Sequence, residues 1–293
     1  MNNVIHNSGF MNNGTATFGQ VAAGTGATIT NTYPGSSRVE PKQRRRRIGV
    51  VTIKAVEMRA VIDTFGLTRV PQARGGQEFY AGSVEAADGP AELVATRTLQ
   101  QGQRSTIPTL ETLRREYEPV LMVLVGIGGA ISRELRIGDV VIANRVVYYD
   151  ERRETEEGMR HRGEERHAPA AISHAANSFF TDAGEPARLR SSAGQFRVLP
   201  GPIGSGEAVI MNARSGIRRF LSDFNEKILA IETEAGGLTQ FCHEAPAPQP
   251  GWLVVRGISD DASPKKTDEP QVAAALNAAV TLQHLIPYLR AMS

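Results

Sequence analysis

Residues 120–129 read Val-Leu-Met-Val-Leu-Val-Gly-Ile-Gly-Gly, six apolar residues followed by a glycine cluster. An unbroken apolar run of this length, closed by glycines, reads as a strand buried in a sheet. Glycines after such a strand let a ligand approach the backbone closely. Similar runs flank it. Upstream, residues 48–53 (IGVVTI) read as a second buried strand. Residues 55–65 follow as a helix, with Val56, Ala60 and Val61 at helical spacing and Gly66 as its stop. Residues 79–84 and 91–96 read as a strand pair around the turn Asp88-Gly89-Pro90, and residues 107–118 as a helix. Downstream, residues 138–143 (GDVVIA), 228–231 and 252–255 read as strands, and residues 170–180 and 234–243 as helices. Residues 271–289 make a terminal helix, its buried face marked by Val272, Leu276, Val280, Leu285 and Leu289. Residues 151–167 are highly charged and read as a loop. Strands alternating with helices give an α/β domain whose sheet is covered on both faces. In such sheets a ligand sits at the carboxyl ends of the strands.

Composition narrows the classes of function. The net charge of +2 gives no basic excess of the kind that nucleic-acid binding requires. A single cysteine, Cys242, excludes an internal disulfide framework and any multi-cysteine metal site, and fits a reducing cytoplasm. No apolar run approaches the roughly 18–20 residues that span a membrane, and the first ten residues lack the basic and apolar regions of a signal peptide. A cytoplasmic protein is the expectation. Residues 1–47 stand apart, rich in Asn, Gly, Thr and Ser. They read either as a flexible tail or as short strands joined by glycine turns that order on self-assembly. Pro41 and the run Arg44-Arg45-Arg46-Arg47 mark the boundary, which leaves residues 48–293 as the folded domain.

Five segments at expected strand ends could carry chemistry. Glu57 lies in the first turn of the helix after the first strand. Alone, it is as readily a partner for the helix dipole. Gly126 and Gly128 belong to the glycine cluster. The loop Gly201-Pro202-Ile203-Gly204-Ser205-Gly206-Glu207 leads into Ala208-Val209-Ile210, a short apolar run suited to one wall of a flat pocket. Ile231-Glu232-Thr233-Glu234-Ala235 puts two carboxylates two residues apart, on one side if extended. They repel each other, and ribose hydroxyls are good partners for a carboxylate acceptor. Arg256-Gly257-Ile258-Ser259-Asp260 joins an acid to an arginine, either as a structural ion pair or as a tuned acid or base. Cys242 and His243, on the helix after Glu234, read as packing residues.

Taken in order, the motifs IGVVTIKAVEMRAV (48–61), VGIGGAISRELRIGDVVIA (125–143), GPIGSGEAVI (201–210), AIETEAGGL (230–238) and RGISDDA (256–262) make the chain resemble the purine nucleoside phosphorylase/nucleosidase superfamily. The resemblance is greatest to its methylthioadenosine/S-adenosylhomocysteine nucleosidase branch. It implies a three-layer α/β/α phosphorylase/hydrolase-like fold around a central twisted mixed sheet, a purine nucleoside or nucleotide as ligand, and a homodimer or higher homo-oligomer. It implies no cofactor and no metal. By resemblance, Glu57 activates the attacking water, Glu234 holds the ribose 2′- and 3′-hydroxyls, and Asp260 donates a proton towards the purine N7. Ser259 and Arg256 support that aspartate, and Val209 and Ile210 line the purine pocket.

The sequence departs from the family pattern at four places. Thr233 replaces a methionine, Val209 an aromatic residue and Gly126 a serine, while Lys54-Ala55-Val56 replaces a run of acids. The catalytic skeleton is kept and the shell that reads the substrate is altered. Cleaving an N-ribosidic bond builds positive charge on the sugar and negative charge on the base, as in glycoside hydrolysis. One group neutralises the leaving purine and another delivers water from the opposite face, roles that fall to Asp260 and Glu57. A carboxylate at position 57 favours hydrolysis over phosphorolysis. Similar domains occur in bacterial conflict and anti-phage systems, where nucleotides such as AMP or ATP are the targets. The arginines of residues 151–167 read either as solvated charges or as contacts to a phosphorylated substrate. A non-catalytic nucleoside sensor or scaffold is the contrasting class.

Overall fold

A computed structural model of the chain describes residues 46–71, 76–210, 212, 215–261 and 269–290. The expected strands of residues 1–47, together with Arg44 and Arg45 of the basic run, lie outside the described residues.

The domain begins with β1 (Arg47–Thr52), α1 (Ala55–Phe65), β2 (Thr68–Arg69), β3 (Phe79–Ala86), β4 (Gly89–Arg97) and α2 (Gln103–Tyr117). Gly66 closes α1 at φ 61°, in the left-handed region where a glycine avoids the side-chain penalty. The helix α2 starts four residues earlier than the apolar spacing suggests, with Pro108 in its second turn. Next come β5 (Leu121–Ala130), β6 (Val140–Tyr148), β7 (Arg152–Thr155), β8 (Gly158–His161), β9 (Glu164–His167) and α3 (Ala170–Ala183). The chain ends with β10 (Ala187–Ser191), β11 (Gly194–Ser205), α4 (Gly216–Phe224), β12 (Ala230–Glu232), α5 (Ala235–Glu244), β13 (Gly251–Asp260) and α6 (Glu269–Leu285).

The strands form one mixed sheet in the order β10-β11-β6-β13-β5-β1-β4-β3-β2, with β12 bridging β11 and β5 and β9 alongside β6. The bridge closes a circuit: β5, β12, β11, β6 and β13 pair in turn and return to β5. Alternation along β5 shows both faces covered. Leu121, Val123 and Val125 pack with residues of α1, α3 and α6, while Met122 and Leu124 pack with residues of α2 and α5. This is the α/β/α layering that the resemblance implies, and it explains why β5 reads as unbroken apolar sequence.

Several expectations are corrected. The glycine cluster 126–129 is not a turn. It continues β5, where Gly126 pairs with Arg256 and Gly128 with Ile258. Residues 201–205 likewise extend β11 and pair with β6 and β12. Both stretches lack the bulky side chains by which a buried strand is read, because neighbouring groups fill the space. The turn between β3 and β4 falls on Ala87 and Asp88, one residue earlier than read. Residues 151–167 form the hairpin β7–β8 and the added strand β9. Their charged faces offer no apolar period, so the pattern hides the strands. The buried face of α6 is rotated in its first turns: Ala274, Ala275, Ala278, Ala279 and Leu282 are buried while Val272 is 59% exposed, and Leu285 and Leu289 are buried as expected. The helix sits unusually close to β13, since a Cβ on Gly257 would stand 2.0 Å from the carbonyl oxygen of Ala274. Only small residues fit that contact, and small residues carry little apolar signal.

Candidate active site

The carboxyl ends of β1, β5, β12 and β13 converge on a cavity of about 100 Å³. Glu57, Glu232, Thr233, Glu234, Ser259, Asp260, Gly128, Val209 and Ile210 all line it. Of the residues singled out from sequence, Gly126 and Arg256 lie behind the wall. Three segments distant in sequence thus bring four carboxylates to one small space: Glu57 on α1, Glu232 and Glu234 at the end of β12, and Asp260 at the end of β13.

Each carboxylate is held by identifiable partners. Glu57 is 2% exposed. Its Oε2 accepts the backbone N–H groups of Ile53 and Lys54, both at 2.7 Å, and its Oε1 accepts that of Ile127 at 2.9 Å. These bonds tie the end of β1 and the start of α1 to β5, and they fix the carboxylate's orientation. Glu232, at the end of β12, accepts the backbone N–H of Glu234 at 3.0 Å and that of Ala235, which opens α5. Glu234 accepts the backbone N–H of Gly102 at 2.9 Å and the hydroxyl of Thr233. Ser259 donates to Asp260 at 3.0 Å.

Arg256 lies fully buried behind this group. Its Nη2 donates to Glu234 at 2.9 Å and to Glu232 as well. One guanidinium therefore relieves the repulsion that the Glu-Thr-Glu spacing creates. Burial opposes the charge on Arg256, but Glu232, Glu234 and Glu57 outweigh it and hold its pKa above the ordinary arginine value. Burial pushes the Glu234 carboxyl upward, partly offset by Arg256. Gly126 is needed for this packing: a Cβ there would lie 2.3 Å from Arg256 Nη1 and 2.6 Å from Glu57 Oε1.

Several residues of the wall were not singled out as binding residues from the sequence. Lys54 lines the cavity, and its Nζ donates to Gln271 Oε1, also in the wall, at 2.9 Å. Gln101 lines it too and donates to the Thr233 hydroxyl at 3.0 Å. Tyr149 is fully buried and donates from its hydroxyl to the carbonyl of Ala208, which anchors the segment bearing Val209. Val209 itself is 51% exposed and forms the lip. Only the departure at Lys54 left a trace in the sequence; Gln101 and Gln271 are ordinary surface types, and Gln271 reads only as the start of the terminal helix. The arginines of residues 151–167 are absent from the described lining. Arg160 pairs with Glu157 and Arg166 with Glu164 on the hairpin and β9 themselves. Among the described residues, no group of three or more His, Cys, Asp or Glu side chains is spaced to hold a metal ion.

Residues 47–290 match the family model of the phosphorylase superfamily, and the chain belongs to that superfamily. Among curated relatives, the ATP nucleosidase Cap17 of Escherichia coli (strain KTE188) is 28% identical over 260 residues, covering 80% of this chain and 50% of its own length. The chain thus spans about half the length of that relative. The 5′-methylthioadenosine/S-adenosylhomocysteine nucleosidase of Marinomonas sp. (strain MWYL1) is 27% identical over 219 residues, 73% of this chain and 87% of its own. In fold, the chain is similar to the S-adenosylhomocysteine nucleosidase of Streptococcus pyogenes, solved with 5-methylthiotubericidin. That structure has a TM-score of 0.68 at 18% identity over 84% of this chain and 98% of the other. The Helicobacter pylori 5′-methylthioadenosine/S-adenosylhomocysteine nucleosidase gives 0.65 at 18% identity, over 83% and 99%. Among the described residues, no helix is long and apolar enough to cross a membrane.

Proposed function

We propose that the domain hydrolyses the N-ribosidic bond of a purine nucleoside or nucleotide and releases the free base. The observation that carries this reading is the meeting of Glu57, Glu234 and Asp260 in one cavity. In the reaction the C1′–N9 bond breaks and a bond from C1′ to a water oxygen forms. Glu57 takes the water's proton, Asp260 supplies one to the departing purine, and Glu234 holds the ribose hydroxyls. Relatives named as nucleosidases, on both methylthioadenosine-type substrates and ATP, support the reaction class. Replacing either acid–base group is expected to lower turnover by roughly 10²–10⁴. Full turnover by both Glu57→Gln and Asp260→Asn would sink the assignment.

Hydrolysis is preferred to phosphorolysis because the described wall holds four carboxylates against one cation, Lys54. An inorganic phosphate nucleophile requires the opposite balance. Base release that proceeds without added phosphate supports hydrolysis; strict dependence on phosphate reverses it. A homo-oligomer is also proposed. Leu99, 96% exposed, lies with Met58, Ile62 and Tyr80 on a groove beside α1 and α2 that a second copy would cover. Light scattering on the full chain tests it, and a monomer at assay concentration refutes it.

A further inference from the structure

We propose that Lys54 reads a phosphoryl group on the 5′ carbon of the ribose, which makes a nucleoside 5′-phosphate the preferred substrate. The inference rests on the nucleosidase reading above. Under that reading the 2′- and 3′-hydroxyls belong to Glu234, and C1′ lies between Glu57 and Asp260. The 5′ carbon is then the ribose position left to meet the remaining charged group of the wall.

Lys54 is the one Lys or Arg among the described residues that line the cavity. A lone ammonium beside four carboxylates would ordinarily pair with one of them. It does not: among the described residues Lys54 makes no ion pair, and its Nζ donates to the neutral amide oxygen of Gln271 at 2.9 Å. The carboxylates have other partners. Arg256 serves Glu232 and Glu234, three backbone N–H groups serve Glu57, and Ser259 donates to Asp260. The charge of Lys54 is therefore not consumed in balancing the wall. A lysine ammonium has three N–H donors, and Gln271 takes one. A half-buried cation held in place by a neutral amide, at the edge of a cavity, suits a phosphoryl oxygen. No arginine of the stretch 151–167 is among the described lining residues, and Arg160 and Arg166 pair with acids of that stretch instead.

The full chain is assayed for base release from AMP, ATP, adenosine and methylthioadenosine, with and without inorganic phosphate. The expected result is a higher kcat/KM for AMP or ATP than for the two uncharged nucleosides, without any need for free phosphate. Lys54→Met should lower the ratio of nucleotide to nucleoside kcat/KM by roughly 10- to 100-fold, the range for losing one charge-assisted hydrogen bond. Lys54→Arg keeps the charge and should restore most of that ratio, which separates recognition from a folding defect. The inference is overturned if the wild type prefers uncharged nucleosides while still cleaving them, an outcome that leaves the nucleosidase reading intact. It is also overturned if Lys54→Met lowers both substrate classes alike, or if cleavage of adenosine requires free phosphate. Failure to cleave any of the four overturns both readings.

Discussion

Nη2 of Arg256 lies 2.9 Å from Oε2 of Glu234, and the same nitrogen bonds Glu232. Two carboxylates of the cavity wall therefore depend on a cation that never reaches the cavity. Removing one partner of a buried ion pair strands the other charge, at a cost of about 3–5 kcal/mol. Arg256→Met should lower stability by that order, read as a shift in the urea midpoint. Adding Glu232→Gln to Arg256→Met should recover part of the loss, because one stranded charge is removed. A loss below about 1 kcal/mol in the single variant would show that the guanidinium does not organise the wall.

Glu57 has a structural duty as well as the proposed chemical one. Its two oxygens accept three backbone N–H groups, from Ile53, Lys54 and Ile127. A glutamine offers one acceptor oxygen and sets an NH₂ group against the remaining donors. Glu57→Gln should therefore cost about 1–3 kcal/mol in stability along with its loss of roughly 10²–10⁴ in kcat. Assays well below the melting point separate the two effects. Stability loss with unchanged kcat would reduce Glu57 to a brace between β1, α1 and β5.

The layers of the fold were legible because their signal is apolar area. The runs at 48–53, 120–125 and 252–255 are covered by helices on both faces and read as strands at once. What escaped was held by other forces. Strand β5 continues through Gly126 because Arg256 and Glu57 fill the space a side chain would take. Strands β7, β8 and β9 are paired by backbone bonds beneath charged side chains. Helix α6 buries alanines against Gly257, so Val272 was assigned to the wrong face. The carboxylates of the site were legible as motifs at strand ends. Gln101 and Gln271 were not, since an amide becomes a wall residue only through tertiary placement.

Gly126 tests how tightly Arg256 and Glu57 are packed against β5. The family resemblance leads one to expect a serine there, but a Cβ would stand 2.3 Å from Arg256 Nη1 and 2.6 Å from Glu57 Oε1. Neither group can retreat far: Glu57 is buried and bonded through both oxygens, and Arg256 is fully buried and tethered through Nη2. Gly126→Ser should cost about 1–3 kcal/mol by overpacking, and it should lower kcat more than it raises KM by displacing Glu57. A variant as stable and active as the wild type would mean that Arg256 takes another position in solution.

Cys242 provides an internal probe of unfolding. It is 2% exposed in α5, and burial pushes its thiol up to about 12, with Arg114 pulling weakly the other way. At pH 8 the thiolate is then roughly one part in 10⁴ of the folded population. It should resist an aromatic disulfide reagent for hours in the native protein and react with one equivalent at once in denaturant. Since the chain holds one cysteine, the rate of labelling reports opening of α5 directly. Prompt labelling of the native protein would contradict the burial.

The shifted carboxyl of Glu234 gives stability a definite pH dependence. Burial raises its folded-state pKa above the ordinary glutamate value of about 4.5, with Arg256 opposing. An acid whose folded pKa is raised binds its proton more tightly when folded. Its contribution is therefore fully present below about pH 4.5 and declines as pH rises from there through the folded value. Glu234→Gln keeps an acceptor for the Gly102 N–H but cannot ionise. The stability of the variant relative to the wild type should thus improve as pH rises from 4 to 8. Urea midpoints at intervals over that range measure it. If the difference instead moved in favour of the wild type as pH rose, Arg256 would outweigh burial and the paired glutamate would be a net source of stability in its ionised form.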